Sequence, residues 1–143
     1  MPSTSWLFWA LLSAGFAAMT AIFTKLGVNN INSDFATFIR TCVILVLVGG
    51  IAFFTKQFQP ISSISSKGLL FLILSGLATG ASWLCYFRAM SLGQVSQVAP
   101  VDKLSVILVA IFGVLLLGEH LSAMNWLGVA LITVGVVMIS WQG

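Results

Sequence analysis

The chain has 143 residues, of which 59% are hydrophobic and 6% charged, and its formal net charge is +3. A soluble domain carries about 25% charged residues, so this composition excludes a water-wetted globular surface and identifies an integral membrane protein whose main surroundings are the lipid bilayer. The positive charge is small, scattered and without a basic run, which excludes a nucleic-acid partner.

The first apolar run extends over about residues 6–27, longer than the apolar core of a cleaved signal, and no basic residue precedes it. It reads as a retained membrane span. Trp6 and Trp9 stand where interfacial aromatics belong. Lys25 closes the last turn, where a cation is favourable, and Gly27 is a candidate cap. Ala10, Ala14 and Ala18 form a flat face for close helix packing. Ser13, Ala17, Thr20 and Thr24 form a mild polar stripe, either interhelical glue or part of a pathway wall.

Residues 29–34 are a tight polar loop in which Ser33 or Asp34 can cap the next span, at about 35–54. The charge-free part of that span, 41–55, is short, so Arg40 is drawn about a turn and a half into the membrane. Either it snorkels to the headgroups or it aims a cation into the bundle. Residues 56–67, with Pro60, are the longest loop.

The third span covers about 68–89. Gly76 and Gly80 make a GxxxG match, a packing surface. Thr79, Trp83, Tyr86 and Met90 share one helical face, and a Trp so deep in a span, with an N–H to satisfy, suits either a pocket wall or a local acceptor in the bundle. Arg88 most simply anchors the span end in the headgroups. Cys42 and Cys85 fall inside apolar stretches and read as small buried hydrophobes, with no spacing that supports a disulfide or a metal.

The fourth span, about 95–117, is the one around which the others make sense. Its uninterrupted apolar run, 104–117, covers only about 21 Å of a bilayer core about 30 Å thick. The helix must therefore begin earlier, which pulls Asp102 and Lys103 below the membrane surface. Charges at that depth face a partner, a cavity or a solute path. Pro100 removes one backbone donor near them. Gly118 ends the span, and Glu119 and His120 follow in a very short loop. Ser122 can cap the fifth span, about 123–141, which has Trp126 and Trp141 at its two interfaces and Gly128 and Gly135 two turns apart.

The expected fold class is all-α: a polytopic membrane bundle of five transmembrane helices in a single domain over residues 1–143. Five spans place the termini on opposite sides and gather Lys25, Asp34, Arg40, Arg88, Asp102 and Lys103 toward one face. Arg40 and Asp102 fall at similar depth, as a pair or as two linings of one cavity, with Trp83 as its aromatic wall. There is no nucleophile–base pair, metal-ligand cluster or phosphate loop, so neither an enzyme nor a cofactor is expected.

The C-terminal half, with Leu117-Gly-Glu119, Trp126-Leu-Gly128, Leu131-Ile132 and Gly135-Val136, resembles the closing signature of EamA-type transporters in the drug/metabolite transporter superfamily. Tyr86-Phe-Arg-Ala89, Gly93, Val98 and Pro100 resemble that family's turn between its third and fourth helices. Arg40 matches an arginine often found early in the second helix. Most members have ten spans in two inverted five-helix repeats, whereas this chain resembles the single-repeat bacterial and archaeal branch. The resemblance implies a secondary transporter or exporter of small metabolites in the bacterial or archaeal inner (plasma) membrane. It also implies a pathway between two repeats, hence a second copy of the chain or a similar small membrane protein.

The charges bear on this separately. Lys56 and Lys67 lie on one side, Lys25 and Arg88 on the other, with Arg40 and Lys103 deeper. This weak bias fits a chain that inserts both ways and forms an antiparallel homodimer, or one oriented by a heterodimer partner. The related small multidrug resistance proteins use a glutamate in the first helix; this chain has no Asp or Glu there, so a proton-coupled mechanism would fall to Asp102. On this reading Arg40, Trp83, Tyr86, Asp102, Lys103 and Thr20 are the candidate substrate-binding residues. Gly76, Gly80, Pro100, Glu119, Gly128 and Gly135 are the helix-packing and motif positions. A non-transporting scaffold or regulatory subunit, and a subunit of a lipid-carrier flippase, are the alternatives.

Overall fold

A computed structural model describes residues 4–141, with side chains from Trp6 onward. Backbone polar groups inside a bilayer must be satisfied within the protein, which favours helices for apolar runs of this length. The described residues accordingly form α1 (Thr4–Val28), α2 (Ser33–Phe54), α3 (Ser66–Leu92), α4 (Val95–Asp102), α5 (Ser105–Leu117) and α6 (Ala123–Ser140), with a 3-10 turn at Ile61–Ser63. Five spans are long and apolar enough to cross a membrane, α4 and α5 together making the fourth, Val95–Leu117.

Local chemistry sets the helix ends. Asn32, rather than Ser33 or Asp34, caps α2: its side-chain oxygen accepts from the N–H groups of Asp34 at 2.9 Å and Phe35 at 3.3 Å. The three polar residues in a row each have the chemistry of a cap, and the chain enters the helix at Ser33, two residues earlier than expected. Gly27 does not cap α1, which continues through Val28. Lys56 turns the chain after α2 with a positive φ of 54°. Gly118 takes the left-handed conformation that ends α5 at φ 68°, and Ser122 caps α6 by accepting from the Asn125 N–H at 3.2 Å.

The fourth span is interrupted. Pro100 lies within α4, and its missing N–H leaves the Ser96 carbonyl without the usual donor. Three residues further on, the bonds tighten to the i→i−3 pattern, from Lys103 N–H to the Pro100 carbonyl at 2.9 Å and from Leu104 N–H to the Val101 carbonyl at 3.0 Å. The break therefore falls at Lys103–Leu104, beside the charged pair.

The chain divides into two compact units, residues 23–91 and residues 1–22 with 92–143. In the second of these, α6 packs closely against both α4 and α5. Its short loop folds Glu119 back over α5. The Glu119 N–H donates to the Gly113 carbonyl at 3.1 Å, and its carboxylate would lie 2.6 Å from a Cβ placed on the buried Gly113. Glycine at 113 is thus what admits the Glu119 side chain. In the unit of residues 23–91, the fully buried Met90, Phe87 (3% exposed), Val28 and Thr37 belong to the end of α1, the first turns of α2 and the last turns of α3.

Elsewhere most apolar side chains of the spans are exposed on the chain's own surface, as lipid-facing groups are. Cys42 and Cys85 are among these exposed residues and are free thiols, so the expectation of burial is corrected. An apolar neighbourhood in a membrane sequence signals lipid as readily as a core. Cβ atoms at Gly76, Gly80, Gly128 and Gly135 would meet nothing within 4 Å.

Candidate functional site

The unit of residues 23–91 carries the most developed polar arrangement inside the spans. Positions 83, 86, 87 and 90 follow the i, i+3, i+4, i+7 rule and place Trp83, Tyr86, Phe87 and Met90 on one face of α3. On α2, Thr37, Arg40 and Ile44 do the same, and all three are buried or half-buried. Arg40 extends from this stripe over α3. Its Cζ lies 4.7 Å from the centroid of the Trp83 ring and 5.3 Å from that of Phe87. Tyr86 meets Phe87 edge-on with centroids 6.5 Å apart.

Two aromatic faces thus hold the guanidinium electrostatically. Among the described residues no carboxylate lies within ion-pair distance of Arg40; the ion pairs formed are Arg88–Asp34 and Lys103–Asp102. A guanidinium stacked on rings keeps its in-plane N–H fork available for a planar oxyanion. The head of the side chain thus rests against aromatic rings of α3.

The same unit is tied at its loop-facing end by two contacts. The Lys25 ammonium donates to the Met90 carbonyl at 2.8 Å, linking α1 to the last turns of α3. Arg88 meets Asp34 at 3.4 Å, linking α3 to the first turn of α2. Arg88 therefore has a protein partner where the sequence pointed to headgroup anchoring alone. Thr79, on the Trp83 face, donates its hydroxyl to the Ser75 carbonyl at 2.9 Å and is exposed.

In the other unit, Lys103 pairs with its neighbour Asp102 at 3.2 Å beside the helix break, and Thr20 is half-buried on α1. A separate open depression of about 450 Å³ is lined by Gln94, Ser96, Gln97, Met138 and Ile139 and contains none of the expected binding residues. Arg40 and Trp83 come together as the sequence reading anticipates; Asp102, Lys103 and Thr20 fall in the other unit. Phe87 was missed. Its i+4 spacing from Trp83 was the available signal, overshadowed by the polar handle of Tyr86. The Asp34–Arg88 pair was also missed, because 54 residues separate its members.

Comparison with known proteins agrees with this architecture. A protein of Sinorhizobium sp., named an uncharacterized transporter in the cobO 3′ region, is 62% identical over 138 residues, covering 96% of this chain and 98% of that protein. No solved structure matches the chain. The family model described as the EamA-like transporter family matches residues 4–141. With five membrane-spanning helices and a family match over nearly its whole length, the chain is an integral membrane protein that belongs to the EamA-like transporter family.

Proposed function

We propose that the protein is a secondary transporter of small metabolites that carry an oxyanionic group, working by alternating access as a pair of inverted five-helix copies in the bacterial plasma membrane. The observation that carries this reading is Arg40, a permanent cation inside a membrane span, held against Trp83 and Phe87 with no carboxylate partner among the described residues. Such a group is costly in a bilayer, and an anionic solute satisfies it in a way that a static scaffold does not.

In this mechanism Arg40 binds the carboxylate or phosphate of the solute through its N–H fork, and Trp83, Phe87 and Tyr86 provide the apolar wall for the remainder. The interrupted fourth span is a second supporting feature. Irregular backbone at membrane depth is tolerated where it lines a cavity, and transporters build binding regions and moving parts from broken helices. Here the break carries Asp102 and Lys103. Because pathways in such folds lie between repeats, a chain of one repeat requires a second copy, and the relative's name as a transporter supports the reading.

The test is exchange of labelled small carboxylates and phosphomonoesters across liposomes containing the purified protein. At least one of these solutes is expected to exchange, and the exchange should vanish in Arg40→Ala. Flux of equal rate in Arg40→Ala would overturn the role given to Arg40. Absence of flux, with stable co-purification of another membrane protein, would favour a scaffold or regulatory subunit instead.

A further inference from the structure

Arg88 and Asp34 have no part in the mechanism above, yet they bridge the same two helices as Arg40 and Trp83. Along α2, Asp34 precedes Arg40 by about 9 Å, and along α3, Arg88 follows Trp83 by about 7.5 Å at 1.5 Å per residue. Arg88 is also the immediate neighbour of Phe87, the second ring beneath the Arg40 guanidinium. The pair therefore stands outward of Arg40, at the loop-facing end of the unit.

The contact itself is weak by construction. It is 3.4 Å long, and the two side chains are 66% and 52% exposed. Pairs of this kind contribute little to stability. Asp34 is nevertheless held in place: its N–H bonds the Asn32 side chain at 2.9 Å, and its other carboxylate oxygen accepts from the Ser33 hydroxyl at 3.3 Å. Asp34 is also the sole acidic residue between positions 23 and 91. It shares the loop-facing end of the unit with Lys25 and Arg88, and Arg40 stands about 9 Å further in. That end of the unit thus carries two cations and one tethered carboxylate, which pairs with Arg88.

We infer that Arg88 is an outer oxyanion site and Asp34 its tethered, exchangeable counter-ion. This inference rests on the reading of Arg40 as the inner anion contact. A solute arriving from that face displaces the Asp34 carboxylate from Arg88, exchanging one weak ion pair for another. When the solute moves inward to Arg40, Asp34 pairs with Arg88 again. Arg88 and Asp34 would then set the apparent affinity and the selectivity for oxyanions, and a neutral solute would have no means of opening the pair.

The experiment is calorimetric titration of the full chain in maltoside micelles with inorganic phosphate. Asp34→Asn is expected to tighten binding about fivefold, the upper range of what releasing an exposed pair can give. Asp34→Ser should do the same, which guards against an effect peculiar to one side chain. The gain should disappear when Arg88→Gln is added. If the gain survives without Arg88, Asp34 acts through its general field and the inference fails. If Asp34→Asn and Asp34→Ser change nothing while Arg40→Gln abolishes binding, the outer site fails and the Arg40 site stands. No phosphate binding in any protein with Arg40 intact would sink the outer site, while the Arg40 reading would fall only if the small carboxylates and phosphomonoesters also failed to exchange in liposomes. Heat from added dihexanoyl-phosphatidylglycerol but none from phosphate would assign Arg88 to lipid headgroups and overturn the solute relay.

Discussion

Replacing Trp83 with leucine isolates the contribution of the ring to the Arg40 site. The guanidinium carbon lies 4.7 Å from the Trp83 centroid and 5.3 Å from that of Phe87. Such contacts contribute about 0.5–1 kcal/mol at exposed positions and about 2 kcal/mol when desolvated. Arg40 and Trp83 are both half-buried, which places this contact near ~1 kcal/mol and converts to about a fivefold change in affinity. Trp83→Leu should therefore weaken phosphate binding about fivefold, measured by titration calorimetry in maltoside micelles. Trp83→Phe keeps a ring and should stay within about twofold of the native protein. Arg40→Gln removes charge-assisted hydrogen bonds of about 1.5–3 kcal/mol and should weaken binding by roughly 10- to 100-fold. If Trp83→Leu left binding unchanged while Arg40→Gln abolished it, the ring would not position the guanidinium. The cation–π argument would then be wrong even though the cation mattered.

Other outcomes follow from local packing. Met90 is fully buried, so Met90→Ala should cost about 2–3 kcal/mol and lower the midpoint of thermal unfolding in detergent, whereas Met124→Ala, at a residue 74% exposed, should shift it little. Removing the α2 cap in Asn32→Ala should cost about 1 kcal/mol, and Asn32→Ser should restore most of it in the same assay. Gly118→Ala places a side chain at φ 68° and should cost about 1 kcal/mol, with Gly118→Asn less affected. Gly113→Ala brings a methyl group against the flexible end of Glu119, so the carboxylate should swing away at small cost; an unfolding loss as large as that of Met90→Ala would contradict this.

Much of this architecture could be read from the sequence because the bilayer is a demanding solvent. Apolar runs of spanning length, with Gly118 and Ser122 between the last two spans, dictate helices and their ends. The short apolar run of the fourth span forced Asp102 and Lys103 inward, and the helix break lies beside them. Arg40 and Trp83 were readable for the same reason, as polar groups at a depth that requires a partner. What escaped the reading depends on tertiary choice. Asn32, Ser33 and Asp34 all have capping chemistry, and only the backbone path selects Asn32. Phe87 carries no polar mark, so its place beneath Arg40 is visible only once α2 lies beside α3. The Asp34–Arg88 pair joins helices from opposite ends of their sequences. The fate of Cys42 and Cys85 turned on whether an apolar face meets lipid or protein, which composition does not distinguish.

The central claim, that one five-helix repeat transports by pairing with an oppositely oriented copy, is tested most directly by the side of the membrane on which the C-terminus lies. A single cysteine at position 143, in a chain carrying Cys42→Ala and Cys85→Ala, would be labelled with an impermeant maleimide in intact cells and in inverted vesicles. The account predicts labelling from both sides in similar amounts. Labelling from one side alone would contradict it.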